Sequence, residues 1–284
     1  MNDRPGCRIA SVTIPSDRPV LIAGPCVAES LPLCLETAGA LVEVCGRLNV
    51  GLVFKASYDK ANRTSADAYR GPGLSKGLQW LAKVKQDLDV PVLSDVHDVG
   101  QVAPAAEVLD CLQIPAFLCR QTDLLVAAGE TGKAVNIKKG QFMAPWDMAP
   151  AVEKVRKTGN DHVLLTERGA SFGYNRLVTD FRGIVRMQAF APVVFDATHS
   201  VQEPGGLGNA SGGQREYAPL LAAAAMAVGT DALFIETHPD PPNAASDATS
   251  MIPLADVEGV LRRCVAVFEA SRALETPAQR DATS

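Results

Sequence analysis

Eight short apolar segments alternate along the chain with longer segments in which apolar residues recur at helical spacing. The apolar segments are rich in Val, Ile, Leu and Phe, and they cover residues 20–27, 51–57, 91–96, 111–117, 134–138, 162–168, 192–198 and 232–237. Most of them lack polar alternation, which is typical of parallel strands buried on both faces. The helical patterns cover residues 31–48, 74–88, 149–158, 178–189, 214–228 and 254–274.

Strand–helix alternation repeated eight times predicts an α/β fold, a closed (β/α)8 TIM barrel, with a doubly wound parallel sheet as the alternative. The 284 residues exceed the roughly 250 that such a barrel needs, and no linker divides them, so we expect a single domain over 1–284. Residues 8–14 predict a short pair of strands, and we expect an N-terminal hairpin extension over 1–18 that caps the bottom of the barrel. The polar tail from about 274 to 284 is expected to be frayed.

Composition excludes several classes of partner. Hydrophobic residues make up 47% and charged residues 21%, and the net charge of −5 argues against nonspecific nucleic-acid binding and against an anionic membrane surface. The seven cysteines form no CxxC pair, and no signal peptide or membrane-spanning segment is visible. We therefore expect a cytoplasmic protein whose thiols are free or bound to metal.

Polar or ionisable side chains end every apolar segment. One polar residue can simply mark the end of a strand, but eight such ends in a barrel predict a catalytic face. Three long loops, 59–73, 200–213 and 239–251, follow strands and should lie over that face. The polar ends are Cys26 and Glu29, Lys55 and Ser57, Asp95 and His97, Gln113, Lys138, Glu167 and Arg168, Asp196 and His199, and Glu236 and His238.

Cationic residues concentrate on this face of an otherwise acidic protein. In one cleft they would lower each other's pKa unless an anion binds, so they predict a site for a phosphate and a carboxylate. A solvated surface position is the simpler interpretation only for Lys60. The predicted ring consists of Lys55, Lys60, Arg63, Lys138 and Arg168.

A metal site is a second hypothesis. Cys26, His199 and Glu236 end the first, seventh and eighth segments, which are neighbours in a closed barrel, and Asp247 follows in the next loop. A thiolate, an imidazole and two carboxylates suit Zn²⁺, Fe²⁺ or Mn²⁺. The residues alone leave the choice open, because a lone Cys is more often a small buried hydrophobe.

Long motifs resemble the 3-deoxy-D-manno-octulosonate 8-phosphate synthases. Residues 54–65 read FKASYDKANRTS and are followed by YRGPGL at 69–74, which is similar to the signature loop of that family. The resemblance covers nearly the whole chain. Further matches are IAGPC at 22–26, LSDVH at 93–97, LQIPAFLCRQTD at 112–123, NIKKGQF at 136–142, TERG at 166–169, FDATHS at 195–200 and ETHP at 236–239.

The resemblance implies a transferase that joins phosphoenolpyruvate, D-arabinose 5-phosphate and water into 3-deoxy-D-manno-octulosonate 8-phosphate and inorganic phosphate, for lipopolysaccharide core biosynthesis. It also implies a homotetramer. A seven-carbon homologue that uses erythrose 4-phosphate is the nearest alternative, but its loop typically reads Lys-Pro-Arg-Thr-Ser, unlike residues 60–65 here. A non-catalytic phosphosugar-binding protein on the same barrel is a further alternative. It would lack at least one central active-site residue of the family, and all of those that can be matched are present here.

Residue roles follow from the same resemblance, position by position. The matches to the phosphoenolpyruvate site are Lys55, Lys60, Gln113, Lys138, Arg168, the Ala116 backbone and the Phe117 ring. The matches on the arabinose 5-phosphate side are Asn62, Arg63, Thr64 (where many members have Ser) and Asp95, with Ser57 also counted as substrate-binding. Arg63 is expected on the sugar phosphate and reaches it from a neighbouring subunit. The catalytic set that the resemblance implies is His199, Lys138, Asp95 and Asn62.

The family divides into a metal-dependent and a metal-free class, and the metal-free class has Asn at the position of Cys26. The Cys here, with His199, Glu236 and Asp247 matching the other three ligands, implies the metal-dependent class and a divalent Zn²⁺, Fe²⁺, Mn²⁺ or similar ion. Whether the metal orients the sugar or positions the attacking water stays open at this point.

Overall fold

Eight parallel strands close into a barrel in the computed structural model, which describes residues 6–63, 65, 67–206 and 212–274. Each strand pairs with the next in sequence, and closure comes from the eighth strand, which pairs in parallel with both the seventh and the first. The predicted (β/α)8 barrel is therefore confirmed, and the doubly wound sheet is excluded. The strands are β1 Val20–Gly24, β2 Gly51–Lys55, β3 Val92–Asp95, β4 Cys111–Ile114, β5 Ala134–Lys138, β6 Val163–Glu167, β7 Val193–Asp196 and β8 Ala232–His238.

Helices follow the strands and cover the outside of the barrel. They are α1 Leu31–Leu48, α2 Leu74–Leu88, α3 Val99–Ala106, α4 Thr122–Glu130, α5 Ala149–Arg156, α6 Arg182–Met187, α7 Ala218–Val228 and α8 Val257–Leu274. Within the described part of the chain, no helix combines the length and the apolar character that crossing a membrane requires.

The helical patterns were incomplete at two places and too long at a third. The sequence predicted no helix at α3 or α4, which are only eight and nine residues long, so each spans little more than two helical turns. The pattern over 178–189 was too long, because residues 177–178 pair with 170–171 in a two-stranded antiparallel sheet. The helix there starts after Asp180, whose carboxylate accepts the backbone N–H of Arg182 at 3.0 Å.

Alternation along each strand divides the side chains between the barrel interior and the helical layer. On β5, Val135 and Ile137 pack in the core beneath the helices, whereas Ala134 belongs to a separate cluster inside the barrel. Asn136 and Lys138 therefore point inward as well, since successive side chains alternate. Because both faces are buried, the sequence shows an unbroken apolar run, and the inward residues become polar only near the carboxyl end of each strand.

A hairpin closes the amino-terminal end of the barrel. Its strands, Cys7–Ile9 and Val12–Ile14, pair antiparallel, and Ile9 and Ile14 are fully buried. Four hairpin side chains share one apolar cluster with inward residues from all eight strands, so the predicted hairpin is present and plugs the bottom. Burying each of the two Ile side chains contributes about 1.5–3 kcal/mol. Residues 1–5 of the predicted extension and 275–284 of the predicted tail lie outside the described residues.

Candidate active site

A cavity of about 780 Å³ opens at the carboxyl ends of the barrel strands. Among the predicted site residues, Ser57 and Cys26 do not line it, but each contacts a residue that does. Thr64 lies outside the described residues. The predicted residues that line the cavity are Lys55, Lys60, Asn62, Arg63, Asp95, Gln113, Ala116, Phe117, Lys138, Arg168, His199, Glu236 and Asp247.

Buried carboxylates separate the cations of this face. Lys55 Nζ lies 2.5 Å from Glu236 Oε1, and both side chains are only 1% exposed. Lys138 Nζ lies 2.7 Å from Asp196 Oδ2, again with both groups buried. The acidic residues of β7 and β8, which the sequence analysis also placed at strand ends, therefore lie between the lysines and reduce the mutual repulsion expected of the predicted ring.

The pKa of Lys60 follows from the same charges. Burial alone would lower it, but Cys26, Glu236 and Asp247 lie close by, and the net effect raises the pKa of Lys60 above its ordinary value. The sequence predicted the opposite direction for this cluster. Lys60 Nζ is 3.9 Å from Glu236 Oε1 and its side chain is 14% exposed, so it is a charged group at the edge of the cavity and not a solvated surface lysine.

Arg168 has an unused donor. Its side chain is buried, one nitrogen (Nη2) donates to Gln202 Oε1 at 3.1 Å, and the other (Nη1) has no hydrogen-bond partner among the described residues. A buried polar group without a partner costs free energy, so such groups are rare in folded proteins. A guanidinium with a free donor beside a cavity is a ready site for an anion.

His199 is held in one orientation by Asp196. The Nδ1 atom of His199 lies 2.7 Å from Asp196 Oδ2, and its backbone N–H donates to Oδ1 of the same carboxylate at 2.9 Å. Because an ionised carboxylate only accepts hydrogen bonds, Nδ1 carries a proton, and Nε2 is the ring nitrogen that faces Glu236 and Asp247. Carboxylate–histidine pairs of this kind orient metal-ligating imidazoles in many metal sites.

Three of the four predicted metal ligands form a close group, and the fourth, His199, lies beside two of them. Ligand atoms of Cys26, Glu236 and Asp247 lie within 4.8 Å of one another. His199 Nε2 is 3.6 Å from Glu236 Oε2 and 3.7 Å from Asp247 Oδ2. Glu236 Oε2 is buried and makes no hydrogen bond within the described part of the chain. An unpaired carboxylate oxygen facing an imidazole nitrogen, a thiol and a second carboxylate fits a divalent cation.

The Cys26 thiol is protonated in this arrangement. Burial, then Asp247 and Glu236, raise the pKa of Cys26 well above its usual range, and the thiol donates to Asp247 Oδ2 at 3.1 Å. A metal ion would replace that proton, because metals bind the thiolate. Glycine at residue 24 lets the end of β1, just before Cys26, lie close against the end of β2. Any side chain there would clash, because a Cβ at residue 24 would lie only 2.0 Å from the Lys55 carbonyl oxygen.

Asp247 sits on the loop after β8 in a left-handed backbone conformation, with φ of 48°. Non-glycine residues adopt this region at a cost, and such residues collect at functional sites. The loop is fastened to the loop after β2 by Arg63, which donates to Ser246 Oγ at 2.8 Å and to the Ala245 carbonyl at 2.7 Å. The loop after β2, which carries predicted substrate-binding residues, therefore contacts the loop after β8, which carries the predicted metal ligand Asp247.

Asp95 is a buried, hydrogen-bonded carboxylate at the end of β3. It accepts from Ser57 Oγ at 2.7 Å and from Gln113 Nε2 at 2.8 Å. Burial would raise its pKa, but the nearby lysines, led by Lys55 and Lys60, hold the pKa of Asp95 well below the ordinary value. Asp95 is therefore an ionised acceptor at the centre of the cavity floor.

Some polar strand ends do not belong to the cavity. Glu167 points outward, lies 3.4 Å from Lys139 Nζ, and lines a second, smaller cavity. His238 and Glu29 face each other at 3.5 Å outside the lining. Conversely, the sequence analysis assigned no role to Gln202, which lines the cavity and accepts a hydrogen bond from Arg168. Nothing in a single sequence distinguishes that Gln from a surface residue.

Comparison with known proteins assigns most of the chain to one family. The model of the DAHP synthetase I family matches residues 8–271. A protein of Syntrophotalea carbinolica named 2-dehydro-3-deoxyphosphooctonate aldolase is 60% identical over 262 residues, covering 92% of this chain and 95% of the relative. Proteins of the same name from Granulibacter bethesdensis and Nitrobacter winogradskyi are 60% identical over 257 residues and 56% identical over 277 residues. These cover 90% and 96% of this chain, and 91% and 96% of the respective relatives.

Proposed function

The chain belongs to the DAHP synthetase I family, and from that premise we infer that it catalyses the condensation expected from its motifs. Phosphoenolpyruvate, arabinose 5-phosphate and water give 3-deoxy-D-manno-octulosonate 8-phosphate and inorganic phosphate, a reaction of lipopolysaccharide biosynthesis. A bond forms between C3 of phosphoenolpyruvate and the aldehyde carbon of the sugar. Water adds to C2, and phosphate leaves by cleavage of its bond to C2.

The free donor of Arg168 is the observation that carries the substrate assignment. Its Nη1 atom, with Lys60 and Lys138 on the same cavity wall, supplies donors for the phosphate and carboxylate of phosphoenolpyruvate. Gln113 and the half-exposed Phe117 ring complete that side of the cavity. Their arrangement holds the enol plane against the cavity wall, so that C3 faces the sugar, and positioning of this kind lowers the barrier of a two-substrate step.

The sugar lies toward the loop after β2 in this proposal. Asn62 lines the mouth of the cavity. Arg63 now contacts residues 245 and 246 of its own chain, and in the proposed assembly it would exchange those contacts for the sugar phosphate bound in a neighbouring subunit. Asp95 accepts a hydrogen bond from a sugar hydroxyl near the reacting carbon. Lys138 stabilises negative charge as the aldehyde oxygen becomes an alkoxide. His199 lines the cavity and faces the water that attacks C2.

We further propose that the Cys26, His199, Glu236 and Asp247 corner holds a divalent metal. The support is the unpaired Glu236 oxygen and the convergence of the four ligand groups. When bound, such an ion would supply Lewis-acid polarisation and orientation of a substrate oxygen or water. It would also add positive charge to a cavity in which carboxylates now offset the lysines.

The assignment of the metal site is tested with Cys26→Ala and a matched variant of another buried cysteine, Cys34→Ala in α1. Metal content and activity are measured before and after exhaustive chelation. We expect Cys26→Ala to lose bound metal and most activity, because thiolate coordination is lost, whereas Cys34→Ala retains both. A Cys26→Ala protein that keeps its full rate after chelation would exclude a metal role at this corner.

The reaction itself is tested by phosphate release from phosphoenolpyruvate with either arabinose 5-phosphate or erythrose 4-phosphate. We expect turnover with the five-carbon aldose and an eight-carbon product by mass spectrometry. Preference for erythrose 4-phosphate would assign the chain to the seven-carbon reaction instead. Binding of phosphoenolpyruvate without phosphate release would indicate a non-catalytic protein.

We also propose a cytoplasmic homotetramer in which Arg63 reaches a neighbouring active site. Four aromatic side chains are more than half exposed near the second cavity: Trp146 and Phe172 line it, Phe142 follows β5, and Tyr174 lies two residues after Phe172, which supports association with further copies. All seven cysteines are free and buried, as expected in a reducing compartment. Light scattering of the purified protein should give four times the chain mass, and a monomer would contradict the shared site.

A further inference from the structure

Five buried polar side chains form a continuous hydrogen-bonded chain along the inner wall of the barrel, one from each of five consecutive strands or strand ends. Thr166 Oγ1 donates to Asn136 Oδ1 at 2.7 Å, and Asn136 Nδ2 donates to Gln113 Oε1 at 2.9 Å. Gln113 Nε2 then donates to Asp95 Oδ1 at 2.8 Å, while Ser57 Oγ donates to Oδ2 at 2.7 Å. We call these five residues the polar relay.

Strand register explains the polar relay. Asp95 and Gln113 are direct partners in the β3–β4 pairing, and Gln113 and Asn136 are direct partners in β4–β5. Side chains opposite each other on one face of neighbouring strands lie within hydrogen-bonding reach. Asn136 pairs with Leu164, and Thr166 lies two residues beyond on the same inward face.

The direction of every bond in the polar relay is determined by Asp95. An ionised carboxylate only accepts, so the amide nitrogen of Gln113 must face it, and the Gln113 oxygen must face Asn136. Asn136 then presents its nitrogen to Gln113 and its oxygen to Thr166, which donates. One N–H of Gln113 remains for the cavity that Gln113 lines.

Asn136 and Thr166 are fully buried and do not line the cavity. They can therefore affect a bound substrate only through other residues that line the cavity. We propose that Asn136 and Thr166 are positioning residues, which lock the Gln113 amide so that its free N–H points at phosphoenolpyruvate and its other N–H anchors Asp95. This inference rests on the proposed function and adds to it two residues that lie in quoted motifs without an assigned role and that do not line the cavity.

Loss of the hydrogen bond from Asn136 or from Thr166 has a specific consequence for the Gln113 amide. Replacement of Asn136 by Leu leaves the Gln113 oxygen buried and unpaired, so that Asp95 alone restrains the amide. The amide can then tilt about that one hydrogen bond, which carries its other N–H away from the substrate. Thr166→Val removes the hydroxyl with almost no change of shape and leaves the Asn136 oxygen unpaired. A misplaced contact of this kind costs on the order of tenfold in kcat/KM.

The test is a double-mutant cycle. We measure kcat, KM for phosphoenolpyruvate and phosphoenolpyruvate affinity by calorimetry for the wild-type chain, Asn136→Leu, Gln113→Leu and the double variant. We expect Asn136→Leu to lower kcat/KM and affinity about tenfold in the wild-type background, yet by less than about twofold when Gln113 is already Leu, because coupled residues are not additive. Equal losses in both backgrounds would show a merely structural role and overturn the proposal.

Thr166 provides a milder version of the same test, should Asn136→Leu fail to fold. Thr166→Val should lower phosphoenolpyruvate affinity, and Thr166→Ser, which keeps the hydroxyl, should recover most of the loss. Ser94→Ala is the matched control, since Ser94 is a fully buried strand hydroxyl outside the polar relay. Thr166→Val with the affinity of wild type would overturn the proposal.

The calorimetric readout needs no turnover, so failure of the proposed condensation is distinguishable from failure of the polar relay. A wild-type chain that binds phosphoenolpyruvate but forms no eight-carbon product contradicts the proposed reaction only. If Gln113→Leu leaves phosphoenolpyruvate affinity unchanged, positioning through Gln113 is refuted whatever the product.

Discussion

Replacement of Arg168 by Lys tests the anion site at its best-defined donor. The guanidinium of Arg168 is 4% exposed, holds Gln202 with one nitrogen and leaves the other free. A lysine keeps the positive charge but has a single nitrogen in place of the planar fork. The ammonium therefore cannot hold Gln202 and reach a substrate anion with the same geometry.

The magnitude follows from the number of charged hydrogen bonds lost. One hydrogen bond to a charged group contributes about 1.5–3 kcal/mol in a buried site. Since about 1.4 kcal/mol corresponds to a factor of ten, we expect kcat/KM for phosphoenolpyruvate to fall by roughly 10- to 150-fold. KM for arabinose 5-phosphate should change little, because Arg63 and not Arg168 is assigned to the sugar phosphate.

The assay is steady-state phosphate release with phosphoenolpyruvate varied at saturating arabinose 5-phosphate, together with calorimetric titration of phosphoenolpyruvate. The matched control is Arg182→Lys, since Arg182 is 83% exposed and pairs with Asp180 away from the catalytic cavity. Its kinetics should stay within about twofold of wild type, as is usual for surface substitutions. Wild-type kcat/KM for phosphoenolpyruvate in Arg168→Lys would refute the reasoning from the free donor.

Two further predictions concern stability. In metal-free protein, Lys55→Met should lower the free energy of unfolding by about 3–5 kcal/mol, because it leaves Glu236 charged and buried; urea titration measures this. Lys83→Met, which breaks an exposed pair with Asp87, should cost no more than about 0.5 kcal/mol, and equal losses would contradict the argument from burial. Acid should also destabilise the protein. Burial raises the pKa values of Glu236 and Asp196, but nearby cations outweigh it and hold both values below their ordinary 4.5 and 3.8. The two carboxylates therefore contribute their full stability well above pH 4.5, and this contribution is lost as the pH falls below their ordinary pKa values toward those of the folded protein. An unfolding free energy that stays constant from pH 6 to pH 3 would contradict this prediction.

The fold was largely predictable because it depends on a local pattern. Strand and helix periodicities repeat eight times, and a chain of parallel buried strands joined by helices has few ways to cover both faces of its sheet. The errors were local too. The helix α3 contains an internal proline, and the start of α6 depends on a hydrogen bond from Arg182 to Asp180 that competes with the helical pattern.

The site was predictable as a set of residues but not as a network. The motifs identified Lys138 and Asp95, yet no spacing could show that Lys138 pairs with Asp196, 58 positions away, or that Asp95 anchors a hydrogen-bonded chain. The expected lowering of the lysine pKa values was wrong for Lys60 for this reason, since the positive charges were considered without the buried carboxylates beside them. Asn136 lies in a quoted motif but received no role, because a polar residue inside an apolar run has no local signal of its partner.

The sequence by itself determined the barrel, the end of the barrel that carries chemistry, and the residue types available there. These follow from hydrophobic periodicity and from the position of each polar residue at a strand end, which are local properties. Only the tertiary structure decided which side chains pair, which donor of Arg168 is left free, and that Cys26, His199, Glu236 and Asp247 share one corner. Barrel closure sets those relations, because it brings strands that are distant in sequence into one register and buries their charges together.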